Sequence, residues 1–283
     1  MSLENLEGPL SQFYGPSAIY VHQIERLSET NDAKTARCLY TVTPGQVKYD
    51  PKQLALNGMN LGNTGSCYIG LVDTDAERAK HHFKSVAVYP GHKVIKDAVA
   101  YRDFIMARGL YELHPNQVRL SSFDSVDFKG LILPPTQLTI SQPGNWFENK
   151  SPIIVTNQGK EAVEIRGLTV VFFLEDERYI PALREDQLIE AMVQAAAATA
   201  LNLGDADGLP LFQGIGRTRF LGQALVGETV EMKTVTTSEK RGFNGNVQAF
   251  VDGRLIAESQ NMKAMIISLK VAEKLWGIKL DKS

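Results

Sequence analysis

The chain has 283 residues, 43% of them apolar and 22% charged, and its formal net charge is −2 with acidic and basic side chains interspersed. This composition is typical of a globular protein, and the charge pattern indicates neither a nucleic-acid surface nor a polybasic membrane anchor. No stretch approaches the roughly 20 apolar residues of a membrane span, the N-terminus lacks a secretory signal, and the two cysteines form no Cys-x-x-Cys pair. We therefore expect a cytoplasmic protein without membrane or nucleic-acid partners.

The first part of the chain predicts two strands and one long irregular segment. Residues 1–16 are polar and contain Gly and Pro, which predicts a loose leader. Ala18–Leu27 and Ala36–Thr43 carry aromatic and β-branched residues between polar ones, a pattern typical of strands. Pro44–Lys80 is rich in turn dipeptides. An irregular segment of this length indicates a functional element, such as a lid, that can include a short helix or strand.

A first helix is predicted to begin at Pro90-Gly91. Its apolar residues recur with the helical period, and Gly109 provides a C-cap. After this helix the sequence returns to alternating, β-branched runs. The predicted strands are Gln117–Phe128, Gln137–Gln142, Ile153–Thr156 and Ala162–Leu174.

A second helix is predicted over the apolar run Leu188–Leu201, in which Glu190 and Gln194 are the polar exceptions among small and aliphatic residues. A helix that is apolar on nearly all sides is expected to be buried. Asp252-Gly253 is a signal for a two-residue hairpin. The strands predicted after the helix are Thr218–Phe220, Thr229–Thr237, Asn246–Val251 and Arg254–Ile267.

The two halves share landmarks at a nearly constant spacing. The glycines of two similar stretches, Gly159 and Gly253, lie 94 residues apart, and the two helices align at the same spacing when Lys96 is set against Glu190. An internal repeat of this kind predicts two copies of one unit, a long helix followed by antiparallel strands. We assign the first repeat to residues 17–160 and the second to residues 161–283.

The C-terminal half resembles the 3-hydroxyacyl-acyl-carrier-protein dehydratases of bacterial fatty-acid synthesis. The matching stretches keep the order found in that family: Ile189-Glu-Ala-x-x-Gln194 on a helix, an Arg219-Phe220 strand, a loop and a Val251-Asp-Gly253 hairpin. Val226-Gly227-Glu228 stands where the family has Pro-Gly-Asp. The resemblance implies a hotdog fold, an α+β fold with an antiparallel sheet wrapped around a long central helix. Together with the repeat it predicts a double hotdog.

The N-terminal half resembles the same family around one histidine. His82-Phe83 is followed at the family's spacing by Pro90-Gly91, although Lys84-Ser85 replaces an earlier Pro-Gly pair. The spacing of polyketide-synthase dehydratase domains would select His81 instead, and this alternative stays open. Where the family carries its acid this half has Lys96, whereas the second half has Glu190 but Asp176 in place of the histidine.

The resemblance implies one active site per chain, at the interface of the two repeats. In the family, the histidine and the acid of one site come from two hotdogs, so His82 and Glu190 are the implied catalytic pair. Glu190-x-x-x-Gln194 resembles the acid-x-x-x-Gln/His pattern of polyketide and animal fatty-acid synthase dehydratase domains. The implied reaction is dehydration of a 3-hydroxyacyl thioester to a 2-enoyl thioester, with acyl carrier protein or coenzyme A as the carrier.

The residue types suit this chemistry. Histidine exchanges protons near neutral pH, and a carboxyl group in an apolar environment has a raised pKa that favours its role as an acid. Backbone N–H groups at the helix start, around Gly91 and His92, can polarise the thioester carbonyl. Gln194 lies one turn beyond Glu190 and can orient it. No metal-ligand cluster or nucleotide loop is present in the sequence, so we predict no cofactor and no metal.

Two other functions remain open on the same fold. The departures at Lys84-Ser85 and Lys96 are compatible with thioesterase or acyltransferase/decarboxylase chemistry. The absence of a second histidine is also compatible with a non-catalytic acyl-binding subunit, in which Glu190 makes only a structural hydrogen bond. Acyl chain length, carrier and pathway stay open, as does the oligomeric state, which includes a homodimer of double hotdogs.

Overall fold

The computed structural model describes residues 3–6, 21–30, 33–42, 60–61, 66–72, 82–83, 86–87, 91, 93–99, 102, 118–132, 136–143, 151–172, 182–201, 208–268, 270–271 and 274. The first group of strands is β1 (Glu4–Asn5), β2 (Gln23–Glu29), β3 (Ala33–Thr41), β4 (Asn60–Leu61), β5 (Ser66–Val72), β6 (His82–Phe83) and β7 (Val86–Ala87). The second group is β8 (Val118–Phe123), β9 (Ser125–Phe128), β10 (Thr136–Ser141), β11 (Ile153–Asn157), β12 (Lys160–Arg166) and β13 (Thr169–Phe172). The last group is β14 (Gly208–Ile215), β15 (Thr218–Phe220), β16 (Thr229–Glu239), β17 (Gly242–Val251) and β18 (Arg254–Ser268).

Most of the strands form one 16-stranded antiparallel sheet, and β6 and β7 form a second, two-stranded sheet. The main path of the sheet runs β1-β2-β3-β16-β17-β18-β14-β9-β12-β11-β10-β5-β4. At its middle β14 pairs with β9 and β15 pairs with β8, with Ile215 opposite Val126 and Thr218 opposite Phe123. The two strand pairs share one antiparallel register. The N-terminal and C-terminal halves of the sheet are therefore joined through β8 and β9 on one side and β14 and β15 on the other.

The N-terminal hairpin crosses to the far half of the sheet. Ala33–Thr41 pairs along its whole length with β16, and β2 covers the outer side of β3. In the other half, β5 occupies the corresponding place beside β10. Strands that precede the first predicted helix therefore extend the sheet of the C-terminal half, and both β2 and β3 contact the second predicted helix.

The second predicted helix is confirmed as α1, Glu185–Ala200. Its side chains from Leu188 to Thr199 are buried on all sides, as expected for a helix with a continuous apolar run. It packs against β2, β3, β16, β17 and β18. The first predicted helix is confirmed at residue 91 and residues 93–99, with Val94, Ile95 and Ala98 buried; its predicted end at Gly109 lies outside the described residues.

Several strand predictions needed correction. The predicted strand Gln117–Phe128 is divided at Asp124, and Ala162–Leu174 is divided at Gly167, whose φ is +65°. The predicted irregular segment Pro44–Lys80, for which the sequence allowed a short helix or strand, contains β4 and β5. The predicted leader contains β1, which pairs with β2. β14 was not predicted.

The backbone repeats an unusual feature at a fixed spacing. Gln158 and Gly159 have φ of 50° and 78° in the turn between β11 and β12, and Asp252 and Gly253 have φ of 49° and 75° in the turn between β17 and β18. Two successive left-handed residues define the two-residue hairpin turn that the Asp-Gly signal predicts. Each pair of turn positions is 94 residues apart. Gly167 recurs in the same way, since Asn261, 94 residues later, has φ of 54°.

No helix within the described ranges is both long and apolar enough to cross a membrane.

Candidate active site

The start of α1 is held by Arg119 of β8 and by side chains of the first helical turn. Arg119 of β8 donates from Nε to Glu185 Oε1 at 2.7 Å, and its Nη2 lies 2.6 Å from the same oxygen. The side chains of Arg119 and Glu185 are only 18% and 12% exposed. The Arg184 N–H donates to Gln187 Oε1 at 3.2 Å, so the Gln187 side chain satisfies the N–H of the N-cap residue. An acidic side chain in the first turn also complements the helix dipole.

Glu190 and Gln194 lie together on α1, one turn apart, as the sequence predicts. Gln194 Nε2 donates to Glu190 Oε1 at 3.1 Å. Glu190 is 7% exposed and Gln194 is fully buried. A carboxylate in such surroundings is costly unless hydrogen bonds compensate it, and Gln194 supplies one.

Gln194 has a further partner that the sequence does not indicate. The backbone N–H of Val21, just before β2, donates to Gln194 Oε1 at 3.4 Å. The chain therefore links the N-terminal segment to Glu190 through one buried amide side chain. Val21 acts through its main chain, which explains why no residue-type pattern identified it.

Gly91 is helical and lies against an aromatic side chain. A Cβ atom at this position would lie 2.7 Å from both Cε1 and Cζ of Phe128, at the end of β9. Carbon atoms attract best at 3.5–4.0 Å, so only glycine permits this approach without movement of the ring. The sequence predicts a role for the backbone N–H groups around Gly91, and the structure adds the close contact of this glycine with Phe128.

The histidine side of the predicted site is described only in part. The backbone of His82 lies in β6, where it pairs with Ala87 of β7, but its side chain is not among those described. His81 and His92 lie outside the described residues. The pairing of His82 with Glu190, and the choice between His81 and His82, therefore stay predictions.

The loop that stands in place of the family's Pro-Gly-Asp is a tight turn. The Glu228 N–H donates to Leu225 O at 3.1 Å, and Gly227 between them has φ of +88°. A left-handed third residue defines a type II turn and favours glycine. The Glu228 carboxylate accepts from the Leu225 N–H at 2.6 Å. The side chain of the acidic residue therefore stabilises the turn by accepting a hydrogen bond from its first residue, and either Asp or Glu can do this.

This turn is anchored by backbone hydrogen bonds on two sides. The Leu183 N–H donates to Ala224 O at 2.8 Å, just before α1, and the Gly227 N–H donates to Val42 O at 2.9 Å, just after β3. The turn thus joins the start of the helix to the N-terminal hairpin.

Cys38 on β3 lies near this helix but is unsuited to be a nucleophile. The thiol is fully buried, 4.0 Å from Ala195 O, and burial raises its pKa to about 12. Since the thiolate is the reactive form, the thiol stays protonated and inert near neutral pH.

Comparison with curated proteins identifies the family. The chain is 35% identical over 109 residues to the 3-hydroxyacyl-[acyl-carrier-protein] dehydratase FabZ of Syntrophotalea carbinolica, a match that covers 36% of this chain and 73% of that protein. The chain therefore belongs to the 3-hydroxyacyl-acyl-carrier-protein dehydratase family. No family model matches the chain. The antiparallel sheet fits the hotdog fold that the resemblance implied.

Solved structures give more distant likenesses. The dehydratase domain from the CurJ module of the curacin polyketide synthase is 10% identical, with a TM-score of 0.44 over 87% of this chain and 97% of that domain. The dehydratase domain of PpsC from Mycobacterium tuberculosis, in complex with C12:1-CoA, is 10% identical, with a TM-score of 0.44 over 86% and 97%. An acyl-CoA thioesterase II from Mycobacterium marinum is 8% identical, with a TM-score of 0.47 over 77% and 98%.

Proposed function

We propose that the protein is a 3-hydroxyacyl-thioester dehydratase, a hydro-lyase that forms a 2-enoyl thioester and water. The observation that carries the proposal is the buried Glu190 carboxyl, hydrogen-bonded by Gln194 on the apolar helix of a member of the dehydratase family. The substrate is a thioester of acyl carrier protein or coenzyme A, the partner that the family name supports. The cytoplasm stays our predicted location.

The proposed reaction uses two side chains and one backbone turn. The imidazole of His82 removes a proton from C2, while the Glu190 carboxyl gives a proton to the C3 hydroxyl, which leaves as water. Charge that develops on the thioester oxygen is stabilised by N–H groups at the start of the first helix, around Gly91 and His92. The reaction ends with His82 protonated and Glu190 ionised, and proton exchange with solvent restores both.

We propose that two hotdog repeats form the chain, with the second repeat built around α1. The support comes from the left-handed positions that recur after 94 residues, and from matching strand pairs: β11–β12 with β17–β18, and β10–β11 with β16–β17. Because β12 and β13 pair with β9 and β8, we place the boundary after Phe172 rather than after residue 160.

We further propose a single site per chain, at the interface of the repeats. At the repeat spacing, Lys96 corresponds to Glu190, so the other interface lacks the acid. Glu185 corresponds to Gly91, and its carboxylate at the start of α1 is already paired with Arg119. An acidic side chain at the start of α1 would repel the developing thioester oxyanion. This supports a single functional interface, the one with Gly91 and Glu190, and an inactive second interface.

The test is a direct assay with 3-hydroxyacyl and 2-enoyl thioesters, followed by the enoyl absorbance in both directions. Glu190→Gln keeps the size of the side chain and removes its proton, so we expect kcat to fall by about 10²–10⁴-fold. Glu185→Gln, the same change on the same helix, serves as the control and is expected to retain activity. His82→Ala and His81→Ala separate the two histidines, since only the catalytic one should cause a comparable loss.

Three outcomes would count against the proposal. Wild-type protein that leaves the enoyl absorbance unchanged with both carriers would refute dehydratase activity. Release of free thiol from acyl thioesters, abolished by Glu190→Gln, would instead indicate a thioesterase. Binding of acyl thioesters without turnover would indicate an acyl-binding subunit.

A further inference from the structure

We infer that the backbone N–H of Val21 is a positioning group for Glu190, because it fixes the orientation of the Gln194 amide and thereby the oxygen of Glu190 that exchanges the proton. The inference deepens the proposed function and rests on it for its catalytic part. Its structural part rests on two hydrogen bonds, from Val21 to Gln194 and from Gln194 to Glu190.

The polarity of this chain of hydrogen bonds has only one consistent direction. A backbone N–H can only donate, so it requires an acceptor, and the only acceptor on Gln194 is Oε1. The NH₂ group of Gln194 must then face Glu190, and it too can only donate. Glu190 Oε1 is therefore an acceptor. A protonated oxygen is a weaker acceptor than the carbonyl oxygen of the same carboxyl group, so the hydrogen bond from Gln194 favours the exchangeable proton of Glu190 on Oε2.

The sheet, rather than the helix, holds the Val21 N–H in place. Val21 is fully buried, and the next residue is fixed on both sides: the His22 N–H donates to Leu39 O at 3.1 Å, and His22 O accepts from the Leu6 N–H at 2.9 Å. A flipped Gln194 amide would leave the Val21 N–H facing a second donor and place two oxygens against each other at Glu190. Both hydrogen bonds would be lost at once in a buried site, which excludes the flipped form.

Few other ionisable groups on the neighbouring strands bear on Glu190. Among the described side chains of β2, β3 and β16–β18, the buried ones that can titrate are Cys38 and Tyr40 on β3. Burial raises the pKa of both groups, so they stay neutral in the range where a carboxyl titrates. On α1 itself, Asp186 is paired with Arg184. The half-buried charged side chains on the same strands lie in ion pairs: Glu25, Arg26, Lys34, Arg37, Glu231 and Glu258. His22, half-buried beside Tyr40, needs a control variant.

The contact is tested by hydrogen exchange of the Val21 amide, which needs no catalytic activity. In Gln194→Met the side chain keeps its length but offers no oxygen acceptor, so we expect the Val21 amide to exchange at least about tenfold faster. The His22 amide, bonded to Leu39, is the internal control and should be unchanged. Gln187→Met on the same helix is the matched variant and should change neither amide. Unchanged exchange at Val21 in Gln194→Met would refute the contact.

The effect on the proton is tested by the pH profile of kcat. In Gln194→Glu one carboxylate oxygen can accept from Val21, and the other must share a proton with Glu190. Two carboxyls that share a proton titrate with one pKa raised, so the limb assigned to Glu190 should move up by about one unit or more. The shift should persist in a His22→Gln background. A Gln194→Glu profile that matches the wild type would overturn the inference while dehydratase activity stands. If the wild-type protein is inactive but the Val21 amide exchanges faster in Gln194→Met than in the wild type, the proposed function is refuted and the contact stands.

Discussion

The close contact between Gly91 and Phe128 makes a sharp prediction about stability and activity. In Gly91→Ala, the new methyl group would lie 2.7 Å from two ring atoms, about 1 Å inside the favourable distance. Such overpacking costs about 1–3 kcal/mol, and the better helix propensity of alanine returns at most about 1 kcal/mol. We therefore expect a net loss of roughly 1–2 kcal/mol in the free energy of unfolding, measured by urea denaturation. Phe128→Leu should relieve the clash, so the two changes should couple by about the same amount in a double-mutant cycle.

The matched control for this change is Gly130→Ala, since a Cβ at Gly130 meets nothing within 4 Å. The activity assay adds a second readout, because a shift of about 1 Å in the proposed oxyanion turn can cost about 100-fold in kcat. If Gly91→Ala unfolds like the Gly130→Ala control, both in the wild-type background and in the Phe128→Leu background, the close approach is not a constraint and the argument is refuted.

Three further predictions concern charges and the thiol. Arg119→Leu should lower the free energy of unfolding by about 1–3 kcal/mol, because it leaves the largely buried Glu185 carboxylate unpaired; equal stability in urea would show that the pair contributes nothing. The Lys129 ammonium, 2.6 Å from the Glu164 carboxylate, lowers the pKa of that carboxyl below its ordinary 4.5, so its contribution is present above about pH 4.5 and is lost as the pH falls. Lys129→Met should therefore lower the melting temperature at pH 7 but not at pH 3, and a constant difference would contradict this linkage. In a variant whose other cysteine is serine, Cys38 should react with a thiol reagent at pH 8 only after unfolding, and rapid labelling of the native protein would contradict its burial.

The sequence predicted those elements that have a regular pattern of apolar residues or a characteristic turn dipeptide. The helix α1 followed from an apolar run that left no polar face, and the hairpin at Asp252-Gly253 followed from turn chemistry that both φ values confirm. β14 escaped because Gly208, Pro210 and Gly214 interrupt its pattern, although the strand pairs with β18 on one side and β9 on the other. The breaks at Asp124, a bend, and at Gly167, a left-handed residue, were missed because a single such residue hardly disturbs the alternation of side chains.

A sequence pattern can predict that a segment is a strand, but it does not show which other strand the segment pairs with. The alternation in Ala36–Thr43 predicts a half-buried strand, but it would look the same beside β10 as beside β16. In the candidate site, too, the sequence predicts the local contact but not the partner that the fold brings in. The spacing of Glu190 and Gln194 placed both on one helix face, and their hydrogen bond follows from that spacing. Val21 enters through a main-chain group, which every residue except proline carries, so only the fold singles it out.

The pairing of the N-terminal hairpin with β16 implies that residues 1–42 cannot be removed without exposing an edge of the sheet in the C-terminal half. Without residues 1–42, β16 would become an exposed edge along Thr229–Thr237, and α1 would lose its contacts with β2 and β3. An exposed edge that carries buried apolar residues such as Val230 and Met232 promotes aggregation. We therefore expect a chain beginning at residue 43 to be insoluble alone and to be recovered, with its activity, when residues 1–42 are co-expressed as a separate chain. A monomeric, fully stable product from residue 43 onward would show that the hairpin is dispensable and would remove the physical basis for the positioning role of Val21.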